Sequence, residues 1–142
     1  MLKNLSPLLS GVLLSALDAI EEGGTLTLVG SGYPNEALTA PIVHLGEEVT
    51  TEAAAEAILS VFPLADPDAS PIVFLDLTDE PYDVPDVVFA VTGIASDAEL
   101  RRIPMIRLGL APFLELARQS SVIVSVGSSA PPCAFLFRKG SL

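Results

Sequence analysis

The most constraining feature of this chain is the alternation of short apolar segments with longer segments whose apolar residues recur at helical spacing. Residues 25–29, Thr-Leu-Thr-Leu-Val, are apolar or β-branched throughout, as in a strand that is buried on both faces. Residues 122–126 have the same character. Strands that alternate with helices form a mainly parallel, helix-covered sheet. The sequence therefore predicts an α/β fold with three layers, α/β/α, around a mainly parallel central sheet.

The predicted elements follow one another without a repeat or an obvious linker, so residues 1–142 are expected to form a single domain. After a first helix, further helices are predicted for residues 51–62, with Thr51 as the cap, and for residues 112–119. Residues 84–95 are ambiguous, because their Val-Val-Phe-Ala-Val run has strand propensity. The predicted strands are residues 25–29, 41–45, 72–77, 105–108, 122–126 and 133–137.

The apolar segment near the N-terminus has two interpretations. Lys3 followed by the apolar residues of 8–17 has some character of a secretory signal. Helical spacing of the apolar residues, polar residues on the other face and an early Pro7 favour an amphipathic helix instead. The predicted buried stripe of this helix consists of Val12, Leu13, Ala16, Leu17 and Ile20.

Composition excludes several classes of partner. The 142 residues carry a net charge of −11 and only seven basic side chains, which are scattered along the chain. Nucleic acids and anionic membrane surfaces require positive patches, so neither is predicted as a partner. The single cysteine, Cys133, cannot form an internal disulfide and suits a reducing cytoplasm, where we expect the protein.

Loops that follow strands are the expected sites of chemistry in such a sheet. Gly30-Ser31-Gly32 follows the first strand and resembles the start of a dinucleotide fingerprint, but Asn35 stands where the third glycine is needed. A tight turn is the simpler interpretation. A second candidate loop, residues 127–133, contains serines that could bond sugar hydroxyls or could merely satisfy the backbone.

A pair of carboxylates, Glu21 and Glu22, precedes the first strand. Two neighbouring carboxylates could act as acid and base, although adjacent acidic residues at a helix end are more often simply solvated. Here they oppose the helix dipole, whose negative end lies at this terminus, which hints at another purpose such as an interface.

No metal site or cofactor is predicted. His44 and Cys133 each stand alone in the sequence, and Cys133 is expected to be a buried, inert thiol. The acidic series of residues 66–86 lacks the spacing of a calcium loop and is expected to form a solvated rim.

Several segments, taken in order, resemble those of one known family. The resemblance is strongest over residues 1 to about 62 and residues 107–140, and residues 66–104 match poorly. The matching segments are Met1–Ser10, Tyr33-Pro34, Ala57–Leu64, Phe113, Glu115, Ala117, Gly127 and Phe135–Gly140. The family that they resemble is the RbsD/FucU family of ribose pyranases and fucose mutarotases.

The resemblance implies a fold, an assembly and a reaction. Members of the family form rings, as pentamers or decamers, with active sites between neighbouring subunits, and they interconvert anomers or ring forms of free sugars such as fucose and ribose. This reaction opens a cyclic hemiacetal, so one group must protonate the ring oxygen while another removes the anomeric hydroxyl proton. The resemblance also favours a helix for residues 84–95.

The residues that would contact sugar in the family are altered here. Glu22 takes the place of the family's acid/base histidine, and Gly30 that of an aspartate. Leu110 aligns with a sugar-binding arginine, although Arg107 lies three residues earlier. The resemblance implies a pocket formed by the following residues: Glu22, Gly30, Ser31, Arg107, Leu110, Pro132, Cys133 and Ala134.

Two hypotheses follow from these substitutions. In the first, the chain is a divergent relative with a degenerate sugar site, which forms rings and binds a small molecule, such as a monosaccharide, or a partner. In the second, it remains a monosaccharide mutarotase or pyranase that uses Glu22 as acid/base and Arg107 as a hydrogen-bonding cation. The loss of polar side chains favours the first, because a site without its hydrogen-bonding partners discriminates its ligand poorly.

Overall fold

The fold is a six-stranded sheet with helices on both faces, in a computed structural model that describes residues 7–30, 40–46, 48–76, 86–127 and 134–141. The helices are α1 (Gly11–Ala19), α2 (Thr51–Leu59), α3 (Asp86–Glu99) and α4 (Leu110–Ala117). The strands are β1 (Thr25–Val29), β2 (Ile42–His44), β3 (Ile72–Leu75), β4 (Met105–Leu108), β5 (Val122–Ser125) and β6 (Ala134–Arg138). A short 3₁₀ helix spans Pro67–Ala69.

The strand order is β2-β5-β1-β6-β3-β4. Strand β6 runs antiparallel to both of its neighbours, β1 and β3, whereas the pairs β1/β5, β2/β5 and β3/β4 are parallel. The prediction of a mainly parallel sheet is therefore confirmed. The antiparallel β6 in the middle of the sheet means that the end of β6 meets the start of β1.

The apolar residues divide between two clusters, one on each face of the sheet, which confirms the three-layer prediction. One cluster packs α1, α2 and α3 against alternate residues of the strands, including Leu26, Leu28 and Phe135. The second cluster packs α4, through Phe113 and Ala117, against the residues that point the other way. The period of two along each strand produces this division.

The boundaries of α1 and α2 are set by hydroxyl caps. The Ser10 side chain accepts a hydrogen bond from the Leu13 N–H at 3.2 Å, and that of Thr50 accepts one from the Ala53 N–H at 3.1 Å. The prediction of Thr51 as the cap was wrong by one residue. Thr50 has the extended conformation that a cap requires, whereas Thr51 is helical and buried.

Two further expectations are settled by packing. The strand alternative is wrong for residues 86–95, because α3 buries Val88, Val91 and Ala95, which lie on one helical face, while residues 84 and 85 lie outside the described residues. Val12 was predicted in the buried stripe of α1 but is 69% exposed, while Leu13, Leu17 and Ile20 are buried. Among the described helices, none combines the length and the apolar character that crossing a bilayer would require.

Candidate functional site

The predicted catalytic residue, Glu22, lies in a tight turn between α1 and β1. The Gly24 N–H donates a hydrogen bond to the Glu21 carbonyl at 2.8 Å, which closes a four-residue turn. Gly23 occupies the third position with φ +86°, a conformation that side chains disfavour and that a type II turn requires there. Glu22 is the second residue of the turn, and its side chain is exposed to solvent.

Two adjoining cavities lie beside this turn. One, of about 430 Å³, separates α1 from the segment that follows α2 and has Leu14, Val61 and Phe62 in its lining. The other, of about 380 Å³, is lined by both acidic and basic side chains, among them Glu99 and Arg101. Both cavities have Glu22, Lys139, Gly140 and Ser141 in their walls. The turn therefore stands at the rim of a recessed surface.

Four of the other predicted residues lie at the other end of the strands. The parallel strands have their carboxyl ends there, and we call this side of the sheet the carboxyl edge. Gly30 follows β1, and Ala134 begins β6 opposite Val29. Arg107 lies in β4, and Leu110 begins α4. Strands β1, β6, β3 and β4 are consecutive in the sheet, so three strand spacings, about 14 Å, separate β1 from β4. The predicted residues Ser31, Pro132 and Cys133 lie outside the described residues.

Two oppositely charged side chains, those of Arg107 and Asp76, form an ion pair at this carboxyl edge. Arg107 Nε lies 2.7 Å from Asp76 Oδ2, and the two side chains are only 27% and 13% exposed. The Arg107 guanidinium carbon also lies 5.7 Å from the centroid of the Phe74 ring. The parallel pairing of Phe74 with Arg107, and the hydrogen bond from the Asp76 N–H to the Leu108 carbonyl, bring the three residues together.

Asp76 is the residue that sequence reasoning missed. It was assigned to a solvated acidic rim, and for Asp76 that assignment was wrong, because its side chain is mostly buried and paired with Arg107. Asp66 does fit the rim, since its side chain is 83% exposed. The signal that distinguishes them is position: Asp76 directly follows four consecutive buried strand residues, as a residue at the end of a parallel strand does.

Glu22 and the carboxyl edge are at opposite ends of the same strand. Glu22 precedes β1 and Gly30 follows it, and the five residues of β1 span about 17 Å. The predicted residues therefore form two groups within one protomer, the exposed Glu22 turn and the Arg107 edge. A ligand the size of a monosaccharide cannot touch both groups in a single copy of the chain.

The described residues show no arrangement suited to a metal ion. In the ranges that the structure covers, no three His, Cys, Asp or Glu side chains cluster closely enough to hold one. His44, at the end of the edge strand β2, is exposed.

Comparison with known proteins shows which of them share this architecture. No family model matches the chain, and no curated protein matches it. Several solved structures, in contrast, match the chain over nearly its whole length. The crystal structure of Atu2016, a candidate sugar-binding protein, is 28% identical with a TM-score of 0.91, covering 100% of this chain and 97% of that one.

Two further solved structures, at lower identity, establish the fold. The fucose mutarotase of Streptococcus pneumoniae in complex with L-fucose is 20% identical, with a TM-score of 0.85 and 99% of each chain covered. RbsD of Bacillus subtilis complexed with D-ribose is 12% identical, with a TM-score of 0.73, covering 100% of this chain and 99% of that one.

Proposed function

We propose that this chain, which has the same fold as the solved fucose mutarotase and RbsD structures, binds a monosaccharide or a related small polyol at the carboxyl edge of its sheet. The observation that carries the proposal is the Asp76–Arg107 pair, with its 2.7 Å contact beside the Phe74 ring. The solved relatives supply the ligand class, because one is a candidate sugar-binding protein and two hold L-fucose or D-ribose.

The chemistry of the pair suits a sugar. A sugar hydroxyl both donates and accepts hydrogen bonds, while a guanidinium only donates and an ionised carboxylate only accepts. Neighbouring hydroxyls on a sugar ring can therefore bond to Arg107 and Asp76 at once, and charged partners make such bonds strong. The apolar face of a sugar could rest on nearby apolar surface such as the exposed Leu110 side chain.

The site is completed, in this proposal, by a second copy of the chain. A ring of protomers, as a pentamer or decamer, would bring the Glu22 turn of one copy to the Arg107 edge of the next. The separation of these two groups by the length of β1 supports the arrangement, because only a neighbouring protomer can join them.

The proposed activity is binding rather than catalysis. At the positions of the family's polar residues, this chain has Gly30, Leu110 and Ala134, none of which can donate or accept through its side chain. Mutarotation needs an acid and a base at the hemiacetal, and few groups remain to serve. The second candidate function, a mutarotase or pyranase, would use Glu22 of a neighbouring copy as the proton carrier beside Arg107.

Titration of the protein with D-ribose, L-fucose and D-galactose, followed by saturation-transfer NMR, tests the binding proposal. At least one sugar should bind, and Arg107→Lys should weaken its binding about tenfold, because a lysine retains the charge but loses the planar fork of donors. Arg118→Lys is the matched control, since Arg118 is half-exposed and pairs with Glu115 on α4. Absence of binding for every sugar at millimolar concentration would refute the proposal.

The rate of anomer exchange, measured by NMR on the same samples, separates the two functions. Exchange no faster than in buffer, combined with binding, supports a binding protein. Exchange that the wild-type protein accelerates and Glu22→Gln does not would establish the mutarotase instead.

A further inference from the structure

The end of β6 lies directly against the Glu22 turn. The Gly23 N–H donates a hydrogen bond to the Lys139 carbonyl, and the Lys139 N–H donates one to the Gly24 carbonyl, each at 2.8 Å. The neighbouring Arg138 side chain donates from Nη1 to the Gly23 carbonyl at 3.3 Å. The turn is thus bonded to residues more than 110 positions later in the chain.

Lys139 extends this attachment to the end of α1. Its ammonium group donates to the Leu17 carbonyl at 2.9 Å and to the Ile20 carbonyl at 2.7 Å, with a longer contact of 3.4 Å to the Asp18 carbonyl. A lysine ammonium has three protons, so these three carbonyls account for all of them. The last carbonyls of a helix lack the usual partner four residues later, and here only the Leu17 carbonyl also accepts from a backbone donor of the described residues, the Ile20 N–H at 3.3 Å.

The charge of Lys139 also offsets an unfavourable arrangement in the sequence. Glu21 and Glu22 follow α1 at the negative end of its dipole, where carboxylates are disfavoured and cations are favoured. Lys139 supplies the missing cation from the far end of the chain. The ammonium nitrogen also lies 5.8 Å from the centroid of the Phe62 ring, which adds a cation–π contact.

The residue that follows Lys139 fixes its main chain. A Cβ on Gly140 would collide with the backbone carbonyl group of Leu64, so the chain passes Leu64 at a distance that only glycine permits. The Gly140 N–H also donates to the Pro63 carbonyl at 2.9 Å. The main chain of Lys139 is therefore held by the turn on one side and by the Pro63–Leu64 segment on the other.

We infer that Lys139 is a positioning residue, which sets the place of the Glu22 turn by tethering the end of α1 to the end of β6. The inference rests on the proposed function, in which the turn of one copy completes the sugar site of the next. The three carbonyls occupy the Lys139 ammonium, so in this inference Lys139 acts through the turn and not as a sugar ligand. It determines where the Glu22 carboxylate is presented.

The test compares Lys139→Met with the wild-type protein. Methionine retains most of the apolar length of the side chain and removes the ammonium. Hydrogen exchange of the Gly23 and Gly24 amides should become about tenfold faster, while the amides of β1 keep their wild-type exchange rates. Arg118→Met is the matched control, because it also changes the net charge from −11 to −12 but lies directly after α4, at its C-terminal cap. It should leave all of these amides unchanged.

Sugar affinity adds a readout that a purely structural role would not move. Under conditions where the variant stays folded, Lys139→Met should weaken the binding of the sugar identified above by about tenfold, whereas Lys139→Arg, which keeps a cation, should retain most of the wild-type affinity. Unchanged exchange at Gly23 and Gly24, or an equal increase across the whole sheet, would overturn the inference. If the wild-type protein binds no sugar, the proposed function fails, and the amide exchange alone decides the role of Lys139.

Discussion

The hydroxyl of Thr27, at the centre of β1, lies 2.6 Å from the hydroxyl of Ser120, in the segment that joins α4 to β5. The Thr25 hydroxyl reaches the same Ser120 oxygen at 3.3 Å, and all three residues are buried. This cluster ties the layer of α4 to the central strand by polar contacts inside an otherwise apolar region.

Ser120→Ala should therefore destabilise the protein by about 1–3 kcal/mol, because the two buried threonine hydroxyls lose a partner. Denaturant unfolding measures the change, and Ser121→Ala, at the exposed neighbouring position, is the control. The double variant Thr27→Val/Ser120→Ala should lose less than the sum of the single losses. Strict additivity would show that the hydroxyls do not depend on one another.

Gly23→Ala should destabilise the protein by about 1 kcal/mol or more, since alanine is strained at φ +86°. Gly93→Ala is a matched control within α3, where an added Cβ meets no atom within 4 Å. There the same substitution should stabilise the protein by up to about 1 kcal/mol, because glycine is a poor helix residue. Thermal unfolding would record shifts of opposite sign, and shifts of the same sign would contradict this account of the turn.

Leu100 combines two unfavourable features at the end of α3. It has φ +55° and is 92% exposed. Leu100→Gly should raise the free energy of unfolding by up to about 1 kcal/mol, because glycine accepts the left-handed conformation that commonly ends a helix. Leu100→Ala keeps the strained backbone and should give no such gain. If alanine stabilises as much as glycine, exposure of the leucine rather than its backbone is the cause.

Asp76→Asn should change which sugars bind at the proposed site. The carboxylate neutralises Arg107 at 2.7 Å, so its loss leaves a positive charge that favours anionic ligands. We expect the ratio of D-ribose 5-phosphate affinity to D-ribose affinity, measured by titration calorimetry, to rise about tenfold. Asp66→Asn makes the same change in net charge at an exposed position and should leave the ratio unaltered. An equal rise in both variants would remove Asp76 from the site.

The strands were predictable where local chemistry and burial agree. Residues 25–29 form β1 with the predicted bounds, because an unbroken β-branched and apolar run suits a strand covered on both faces. Residues 105–108 likewise form β4 as predicted. Residues 86–95 were not predictable from propensity, since strand-forming valines lie in α3, where packing against α2 and the sheet decides the conformation.

The candidate site was likewise predictable only in part from the sequence. The resemblance to the RbsD/FucU family indicated Glu22, Gly30, Arg107 and Leu110, but alignment along a chain carries no distances. The structure separates Glu22 from the other three by the length of β1. It also brings Asp76 to Arg107, 31 positions away in sequence, through the pairing of β3 with β4.

The sequence alone determined the α/β class, most strand positions and the apolar faces of the helices, because these depend on the period and type of residues close together in the chain. Only the tertiary structure decided that β6 runs antiparallel beside β1 and that Asp76 pairs with Arg107. It also decided that the Lys139 ammonium donates to the carbonyls at the C-terminal end of α1. These relationships join residues that are far apart in sequence. Strand order and side-chain packing create them, and neither leaves a local signal in the sequence.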